Sequence, residues 1–364
     1  MSNSDMFKLS VGALKERKLR SILTILMVVV GSALLIALFG LSNGFSGFIE
    51  NQFELLSPNM LFISPANDFG PPEQQSNIKI ELTDNVVATF LVIPGVKDVI
   101  PIIQQGAVVT AGGNRGFVSI IGYDQTKINL IYPTFEIESG GIVYEYDTIG
   151  MLIGANVQNP PGSDTIFTDL GQNIKVEFET TKMIEGKPTR VTESTAFIVK
   201  GVAKEMGSAG FVSLDDTISV SLQAANKLFD KNSKYDTLLV ITDSPYDNDG
   251  VTSAIQEIYG NDIGITSPQT IVETFRSFVT GFSYFLVGIA GFSLVVASIG
   301  VITTLYTSVM ERTREIGLMK ALGFTNSSVL LFFLSEAAVI GIIGATTGII
   351  IGMVLGSLVI SILS

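Results

Sequence analysis

The stretch Ile22–Leu41, which reads ILTILMVVVGSALLIALFGL, decides the fold class of this chain. None of its twenty residues is charged, and most are Leu, Ile, Val, Met or Ala. At about 1.5 Å per residue, a helix of this length spans about 30 Å, the thickness of a bilayer's hydrocarbon core. A cleaved signal peptide is the alternative, but its apolar region is shorter and no small-residue cleavage site follows closely. The stretch therefore predicts a membrane-spanning helix.

Two further charge-free blocks occur near the C-terminus. The first covers residues 277–310, with 282–305 as the expected embedded part and 277–281 as a short stalk. The second covers residues 326–364, is interrupted only by Glu336, and predicts one long helix because no proline or polar turn breaks it. Glycines recur in this block at helical spacing, which predicts close helix packing, with a flexible hinge as the alternative. They are Gly341, Gly344, Gly348, Gly352 and Gly356.

The composition excludes most enzyme classes. Of 364 residues, 47% are hydrophobic and 15% are charged, which is too apolar for an ordinary soluble protein. The absence of Cys and His removes disulfides, thiol and histidine catalysis, and the usual zinc and haem ligands. No phosphate-loop motif occurs, and the acidic pairs Asp215–Asp216 and Glu145 with Asp147 match no calcium loop, so we expect them to be solvated. We expect no catalytic residue, metal or cofactor in this chain.

The charges are segregated along the chain. The formal net charge is −12, and residues 22–276 hold 14 of the 22 basic and 29 of the 34 acidic side chains. This acidity makes a nucleic-acid partner improbable. Basic residues instead flank the apolar blocks. By the positive-inside rule, this distribution predicts a multi-pass protein of the cell membrane with a cytoplasmic N-terminus and an acidic middle region outside the cytoplasm. These residues are Lys8, Lys15, Arg17, Lys18, Arg20, Arg312, Arg314 and Lys320.

The outer region predicts a mixed α and β domain. Two β-α-β patterns at its ends could share one sheet, with the strand-rich residues 105–235 inserted between them. Their predicted elements are the strands Met60–Ser64, Val96–Pro101, Thr237–Thr242 and Ile263–Ser267, and the helices Thr83–Leu91 and Asp249–Tyr259. The insert is expected to contain the strands Ala107–Thr110, Gly116–Ile121, Ile174–Thr181 and Thr192–Gly201, and the helix Ser221–Phe229.

The segment Glu311–Gly323, ERTREIGLMKALG, is the most specific part of the sequence. At i,i+3 spacing it places Glu311 near Arg314 and Arg312 near Glu315. Its residues Ile316, Met319 and Leu322 can form an apolar ridge. Such a helix could dock into a groove of another protein, or it could be a solvated loop that anchors the membrane helices. The residue pattern alone leaves both interpretations open.

This segment resembles the E-R-T-R-E-I-G-x-x-x-A-L-G signature of FtsX-like permeases of ABC transporters. Leu19–Leu26, LRSILTIL, is similar to that family's basic approach to its first span, and Phe333–Ala337, FLSEA, is similar to the start of its third. In the middle region, Leu82–Asp84 and Ile93–Val99, LTD and IPGVKDV, resemble a MacB-like core domain. The resemblance covers nearly the whole chain.

The resemblance implies an α-helical membrane protein with an inserted α+β extracytoplasmic domain, consisting of a split β-α-β porter-like lobe and a strand-rich inserted lobe. It implies a permease that works as a homo- or heterodimer in the lipid bilayer with a separate ABC ATP-binding subunit, which binds ATP and Mg. ATP-driven movement would reach the outer domain, for export or extraction of lipoproteins, peptides or amphipathic compounds. An FtsX-like signalling scaffold that activates an extracytoplasmic enzyme or sensor, without transporting cargo, is the alternative; a membrane-anchored exoenzyme is less consistent with the composition. The implied coupling residues are Glu311, Arg312, Thr313, Arg314, Glu315, Ile316, Gly317 and Lys320.

Two features of the sequence depart from the family's pattern, and one charged residue lies inside a predicted span. Met27 stands where the family commonly has Gly. The family also has a fourth span, whereas this sequence ends at Ser364, so we expect truncation, a separately supplied span or a third block that folds back. Glu336 lies inside the third block, where it could pair with a basic residue of the N-terminal segment or extend to the membrane surface.

These observations predict six segments. They are a cytoplasmic amphipathic helix over 1–20, a first transmembrane helix over 21–44, an extracytoplasmic domain over 45–276, a stalk and second transmembrane helix over 277–310, a cytoplasmic coupling segment over 311–325 and a third transmembrane helix over 326–364. Within the outer domain, the porter-like lobe is expected over about 50–104 and 236–270, and the inserted lobe over about 105–235.

Overall fold

The computed structural model describes residues 18–65, 80–162, 166–184, 187–207, 213–260 and 262–363. Two compact units make up the fold: Met1–Phe48 with Phe275–Ser364, which we call the helical unit, and Ile49–Thr274, which we call the sheet unit. The predicted N-terminal helix falls largely outside the described residues, as do Lys8, Lys15 and Arg17.

Nine α-helices and twelve strands occur in the described residues. The helices are α1 (Lys18–Glu54), α2 (Asp84–Leu91), α3 (Ile128–Ile131), α4 (Ala155–Gln158), α5 (Leu222–Leu228), α6 (Asn248–Tyr259), α7 (Pro268–Glu311), α8 (Thr313–Ala321) and α9 (Asn326–Leu363). The strands are β1 (Met60–Ser64), β2 (Leu82–Thr83), β3 (Val96–Ala111), β4 (Asn114–Gly122), β5 (Ile137–Gly140), β6 (Gly150–Ile153), β7 (Asn173–Ile184), β8 (Lys187–Ala203), β9 (Thr217–Val220), β10 (Lys234–Tyr235), β11 (Thr237–Thr242) and β12 (Gly264–Thr266).

Three helices, α1, α7 and α9, are long and apolar enough to cross a membrane. Side-chain contacts show that α1 runs antiparallel to α7, because Thr24 contacts Thr304 whereas Ser42, further along α1, contacts Ser283. The predicted third block is one helix, α9, so a fold-back of this block is excluded within the described residues. The chain is a membrane protein in which three successive helices can cross the bilayer.

The glycines of α9 pack against α1, as the spacing predicted. A Cβ at Gly344 would lie 2.7 Å from the Cβ of Val28, and one at Gly348 would overlap the Oγ of Ser32. Further along, Gly352 approaches α1 in the same way, whereas a Cβ at Gly341 would meet no atom within 4 Å. The absence of side chains therefore lets two parallel helix backbones come close together, which is the small-residue packing typical of membrane helices.

The departure at Met27 also has a packing explanation. A Cβ added at Gly300 of α7 would lie 2.7 Å from the sulfur of Met27. The long, flexible side chain on α1 is thus accommodated by a missing side chain on the facing helix.

In the sheet unit, four antiparallel strands lie in the order β12-β1-β11-β3. Numbered by their place in the chain, these strands have the order 4-1-3-2, and α2 and α6 provide the two β-α-β crossovers, as in a ferredoxin-like fold. Phe90 of α2 and Tyr259 of α6 contact edge to face at 5.8 Å, so both helices cover the same face of the sheet. The prediction that the two β-α-β patterns share one sheet is correct.

Strand β3 is longer than predicted, because the expected strands Val96–Pro101 and Ala107–Thr110 are parts of one sixteen-residue strand. Its first half pairs with β11, and its second half pairs with β4 and β7. The sheet continues through β9, β6, β8 and β5, of which only β8 was predicted. β5, β6 and β9 are only four residues long, and fully buried strands such as β6 and β9 lack the alternation of polar and apolar residues that marks a half-buried strand.

Candidate coupling site

The coupling segment begins where α7 stops being a regular helix. Arg312 lies between α7 and α8 with φ −97° and ψ 16°, and only 9% of it is exposed. Its N–H still donates to Ser308 at 3.1 Å, and its carbonyl accepts from the N–H of Ile316 at 3.0 Å. The chain therefore leaves the α-helical conformation at a buried arginine without losing the backbone hydrogen bonds on either side.

The other end of α8 is closed by a glycine cap. Gly323 has φ +91°, its N–H donates to Lys320 at 3.0 Å, and the N–H of Phe324 donates to Met319 at 3.1 Å. This pair of bonds is the Schellman motif, which requires a left-handed residue that glycine adopts without strain. Thr325 then caps α9 by accepting from the N–H of Ser328 at 3.3 Å. The sequence A-L-G-F-T thus ends one helix and starts the next.

The exposed apolar surface of α8 differs from the predicted ridge. Ile316 and Met319 are half-buried, while Leu318 is 65% and Leu322 is 73% exposed. These two leucines are four residues apart and therefore lie on one face of the helix. Only Leu322 was included in the predicted ridge, because the sequence does not show which face of α8 turns toward the rest of the helical unit.

Several charged side chains of the segment are available to a partner. Arg314, Glu315, Gly317 and Lys320 are exposed, and among the described residues the three charged ones form no ion pair. Thr313 donates its hydroxyl proton to the carbonyl of Met310 in the last turn of α7. The face of α8 therefore combines two exposed leucines with both signs of charge.

Glu311 forms an ion pair with α1. The guanidinium of Arg20 donates to both carboxylate oxygens of Glu311, at 3.0 and 3.1 Å. One turn along α1, the hydroxyl of Thr24 lies 3.4 Å from that of Thr304. Glu311 was expected near Arg314, but the structure shows that its carboxylate binds Arg20 of α1. Sequence reasoning missed this contact because the two residues are 291 positions apart.

Glu336 is buried in the helical unit, with 7% of it exposed. Gly344 lies beside Val28, and Gly348 lies beside Ser32, so continuing this register by two turns brings Glu336 level with Arg20. The side chain is thus buried among the helices, at the level where pairing with a basic residue of the N-terminal segment was predicted. Lys18 is exposed, and the remaining basic residues of the N-terminal segment lie outside the described residues.

The acidic pair of Glu145 and Asp147 has a structural role in the sheet unit. Lys200 donates to Asp147, and the N–H groups of Ile149 and Gly150 donate to it at 3.1 and 2.9 Å. Burial acts to raise the pKa of Asp147, but these hydrogen bonds and the lysine charge outweigh it and lower the pKa below its usual range. Burial raises the pKa of Glu145. The expectation of solvated carboxylates is wrong for Asp147, whose side chain is 14% exposed.

The second acidic pair is also bonded within the fold. Asp215 is 2% exposed and accepts from the N–H groups of Met206 and Gly207, at 3.1 and 2.7 Å. Burial nevertheless raises its pKa. Asp216 accepts from Asn156 at 2.8 Å. These hydrogen bonds account for the position of both carboxylates without a ligand. In the described part of the chain, no cluster of three or more His, Cys, Asp or Glu could hold a metal.

Family models match most of the chain. The MacB-like periplasmic core domain matches residues 21–258, and the FtsX-like permease C-terminal region matches residues 287–364. An uncharacterized ABC transporter permease of Methanocaldococcus jannaschii is 24% identical, over 99% of this chain and 85% of its own length.

Two named exporters are also similar. The macrolide export ATP-binding/permease protein MacB of Bdellovibrio bacteriovorus is 28% identical, over 93% of this chain and 52% of its own. The pyoverdine export ATP-binding/permease protein PvdT of Pseudomonas fluorescens is 26% identical, over 94% of this chain and 50% of its own. The chain therefore spans about half the length of these two relatives.

A solved structure of the periplasmic region of MacB from Actinobacillus actinomycetemcomitans aligns with 62% of this chain and 97% of that region, with 15% identity and a TM-score of 0.43. The first family model alone covers more than half of the 364 residues, and the second covers α8, α9 and most of α7. The chain therefore belongs to the family of ABC transporter permeases that combine a MacB-like periplasmic core domain with an FtsX-like permease region.

Proposed function

We propose that this chain is the membrane-spanning component of an exporter, and that α8 docks into a separate ABC ATP-binding subunit. The observation that carries the proposal is the exposed face of α8, where Leu318 and Leu322 stand beside charged side chains that pair with no other described residue. Burying a leucine side chain fully stabilises a complex by about 1.5–3 kcal/mol, so two exposed leucines favour a protein partner over bulk water.

The way in which the start of α8 is held suits this helix to transmit movement. Its start is held by buried Arg312 and by the ion pair between Glu311 and Arg20, which connects α7 to α1. A push on α8 would therefore reach two membrane helices at once, and transport requires that such a push shift the balance between two conformations. ATP and Mg²⁺ would bind the partner subunit, and two copies of the assembly, identical or related, would work together.

The positive-inside rule supports an orientation in which α8 is cytoplasmic and the sheet unit is outside. We further propose that the strands β12, β1, β11 and the first half of β3 form the porter-like lobe (about 50–104 and 236–270), and that residues 105–235 form the inserted lobe. The proposed cargo is a lipoprotein, a peptide or an amphipathic compound. The names of two relatives, a macrolide exporter and a pyoverdine exporter, support export as the activity. A protein partner outside the membrane is compatible with the same arrangement.

Co-purification with the ATP-binding subunit tests the proposal. Leu318→Asp places a charge in the docking face and is expected to weaken binding at least tenfold, which corresponds to about 1.4 kcal/mol. Leu170→Asp is the matched control, because Leu170 is 44% exposed in the sheet unit and should leave the complex intact. Retention of the ATP-binding subunit by Leu318→Asp and by Leu322→Asp would disprove docking through α8.

A further inference from the structure

Two adjacent turns of the sheet unit carry exposed apolar side chains. The turn between β11 and α6 presents Pro245 and Tyr246, and 95% of Tyr246 is exposed. The turn between α2 and β3 presents Val92, which is 79% exposed, and Pro94, and it follows the exposed Leu91 at the end of α2. We call these five residues the apolar patch. Exposed apolar patches on folded domains commonly mark interaction surfaces.

The two turns are joined through the backbone. Val96 at the start of β3 pairs with Thr242 at the end of β11, and the N–H of Asp243 donates to the carbonyl of Gly95 at 3.0 Å. Gly95 has φ +89°, and a Cβ built on it would lie 3.4 Å from the Cβ of Asp247. The glycine therefore allows the first turn to lie directly against the second.

The turn that carries Tyr246 has a fixed shape. The N–H of Tyr246 donates to the hydroxyl of Ser244 at 3.3 Å, and the N–H of Asp247 donates to the carbonyl of Ser244 at 3.0 Å. The buried side chain of Asn248 then ties the start of α6 to the carbonyl of Pro58, at 3.0 Å. Because the turn is already ordered, a partner that covers Tyr246 loses little conformational entropy.

Carboxylates surround the apolar patch. Asp243 and Asp249 are exposed and Asp247 is half-buried, and none of the three forms an ion pair within the described residues. Residues 91–97 and 243–249 contain these three aspartates and one basic residue, the exposed Lys97, which gives a net charge of −2. The patch is therefore apolar at its centre and negative around it.

This charge distribution selects among the possible partners. In a symmetric contact, a second copy of the chain would bring the same three aspartates against this patch, and like charges repel. Anionic lipid headgroups would be repelled for the same reason. A helix with an apolar stripe bordered by Lys or Arg has the complementary pattern, because its apolar residues can cover the patch while its cations meet the carboxylates.

We propose that the apolar patch and its three aspartates bind a basic amphipathic peptide, whose apolar face covers Tyr246 and Val92. The exposed ring of Tyr246 adds a second attraction, because the face of an aromatic ring attracts Lys and Arg cations. The inference goes beyond the exporter function. It concerns binding by the sheet unit and holds whether or not the peptide is transported or α8 binds an ATP-binding subunit.

A single tryptophan makes the contact measurable, because the natural chain contains no Trp. Tyr246→Trp reports on the patch in the full chain, held in phosphatidylcholine nanodiscs. Phe117→Trp is the matched control reporter, since Phe117 is 77% exposed and pairs with Val108 of β3, about 40 Å along that strand from Val96. The probe is a Leu–Lys peptide of about five helical turns that carries a nitroxide quencher.

Two comparison peptides separate the contributions of charge and apolar surface. One has Glu in place of Lys, and the other has Gln in place of Leu. We expect the Leu–Lys peptide to quench Tyr246→Trp at a concentration at least tenfold lower than either comparison peptide, and not to quench Phe117→Trp. Equal quenching of the two reporters would overturn the inference, because it would show adsorption without a defined site.

The aspartates are tested in the Tyr246→Trp background. Removing their three charges should raise the half-quenching concentration about tenfold at low salt, and less at high salt, where screening already weakens the attraction. The variant is Asp243→Asn with Asp247→Asn and Asp249→Asn. The matched control removes three charges from exposed positions elsewhere in the sheet unit and should change the concentration less than twofold. It is Glu138→Gln with Glu179→Gln and Glu205→Gln.

Two further results would overturn the inference. An equal loss in both triple variants would show that the overall charge, and not the patch, attracts the peptide. Protection of the Tyr246→Trp indole from acrylamide before any peptide is added would show that lipid or a second copy already covers it. Adding Leu318→Asp should leave peptide binding unchanged, which separates this result from a failure of α8 docking.

Discussion

Arg20 and Glu311 lie in two segments that resemble signatures of the family, one at the start of α1 and one at the end of α7. The bidentate contact is only partly exposed, with 33% of the arginine and 37% of the glutamate side chain accessible. Partly exposed pairs contribute little to stability, typically up to about 1 kcal/mol, but a two-pronged arginine contact also fixes geometry. Its main role is therefore to hold the start of α8 against α1.

Exchanging the charges tests this role. Arg20→Glu or Glu311→Arg alone places like charges together and should lower the stability of the full chain by about 1 kcal/mol, whereas the double exchange should restore it. Thermal unfolding in detergent measures both effects. Lys234→Glu, in the more exposed pair with Glu81, is the control and should change stability less. Additive effects of the two single exchanges would show that the contact is not formed.

Asp147 makes stability depend on pH in a predictable direction. Its folded-state pKa lies below the ordinary value of 3.8, so its bonds stabilise the fold fully above that value and are lost as the pH falls through the folded-state pKa. Asp147→Asn should therefore lower stability at pH 7, by about 1–2 kcal/mol, and progressively less below pH 4 (about the unfolded pKa). Melting curves across this range measure the difference. Glu257→Gln, at an exposed position, should show no such trend.

At the scale of elements, α1 and α9 pack closely because glycines on α9 leave room for the backbone of α1. Gly348→Ala would place a methyl group against Ser32 and 2.8 Å from the carbonyl of Val29. Because both are part of the packed α1 helix, the helices must separate, and we expect a loss of about 1–3 kcal/mol.

Detergent melting of the full chain measures this loss. Gly341→Ala is the matched control in the same helix, since a Cβ there meets no atom within 4 Å and alanine is the better helix former. Equal destabilisation by both variants would argue against specific packing at Gly348.

The elements differ in how far they could be predicted. Strands Met60–Ser64 and Thr237–Thr242 are placed residue for residue, because their apolar runs are bounded by turn residues. The glycine contacts of α9 were predicted because spacing along one helix is a local property. The length of β3 was not predicted. One half of this strand pairs with β11 and the other with β4 and β7, and pairing between segments distant in the chain leaves no local pattern in the sequence.

In the candidate site, too, local features could be predicted from the sequence and tertiary contacts could not. The motif identified the position of α8, and its glycine cap is written in the sequence as A-L-G. Which face of α8 is exposed depends on tertiary packing, so Leu318 was missed and the half-buried Ile316 was included.

For the molecule as a whole, the orientation across the membrane is the central prediction. The chain contains no cysteine, so single-cysteine variants can be labelled without removing native thiols. In intact cells, a membrane-impermeant maleimide should label Phe117→Cys, at a residue that is 77% exposed, and not Leu322→Cys. Permeabilised cells should label both, which controls for access. Labelling of Leu322→Cys from outside would reverse the proposed topology.

Strand β11 has a consequence for biogenesis. It lies between β1 and β3, although it follows β3 in the chain by more than a hundred residues. During synthesis, β1 and β3 therefore emerge with open strand edges that only a much later segment of the chain can pair with. Long-range pairing of this kind slows folding, so these strand edges are exposed to aggregation until the central strand arrives.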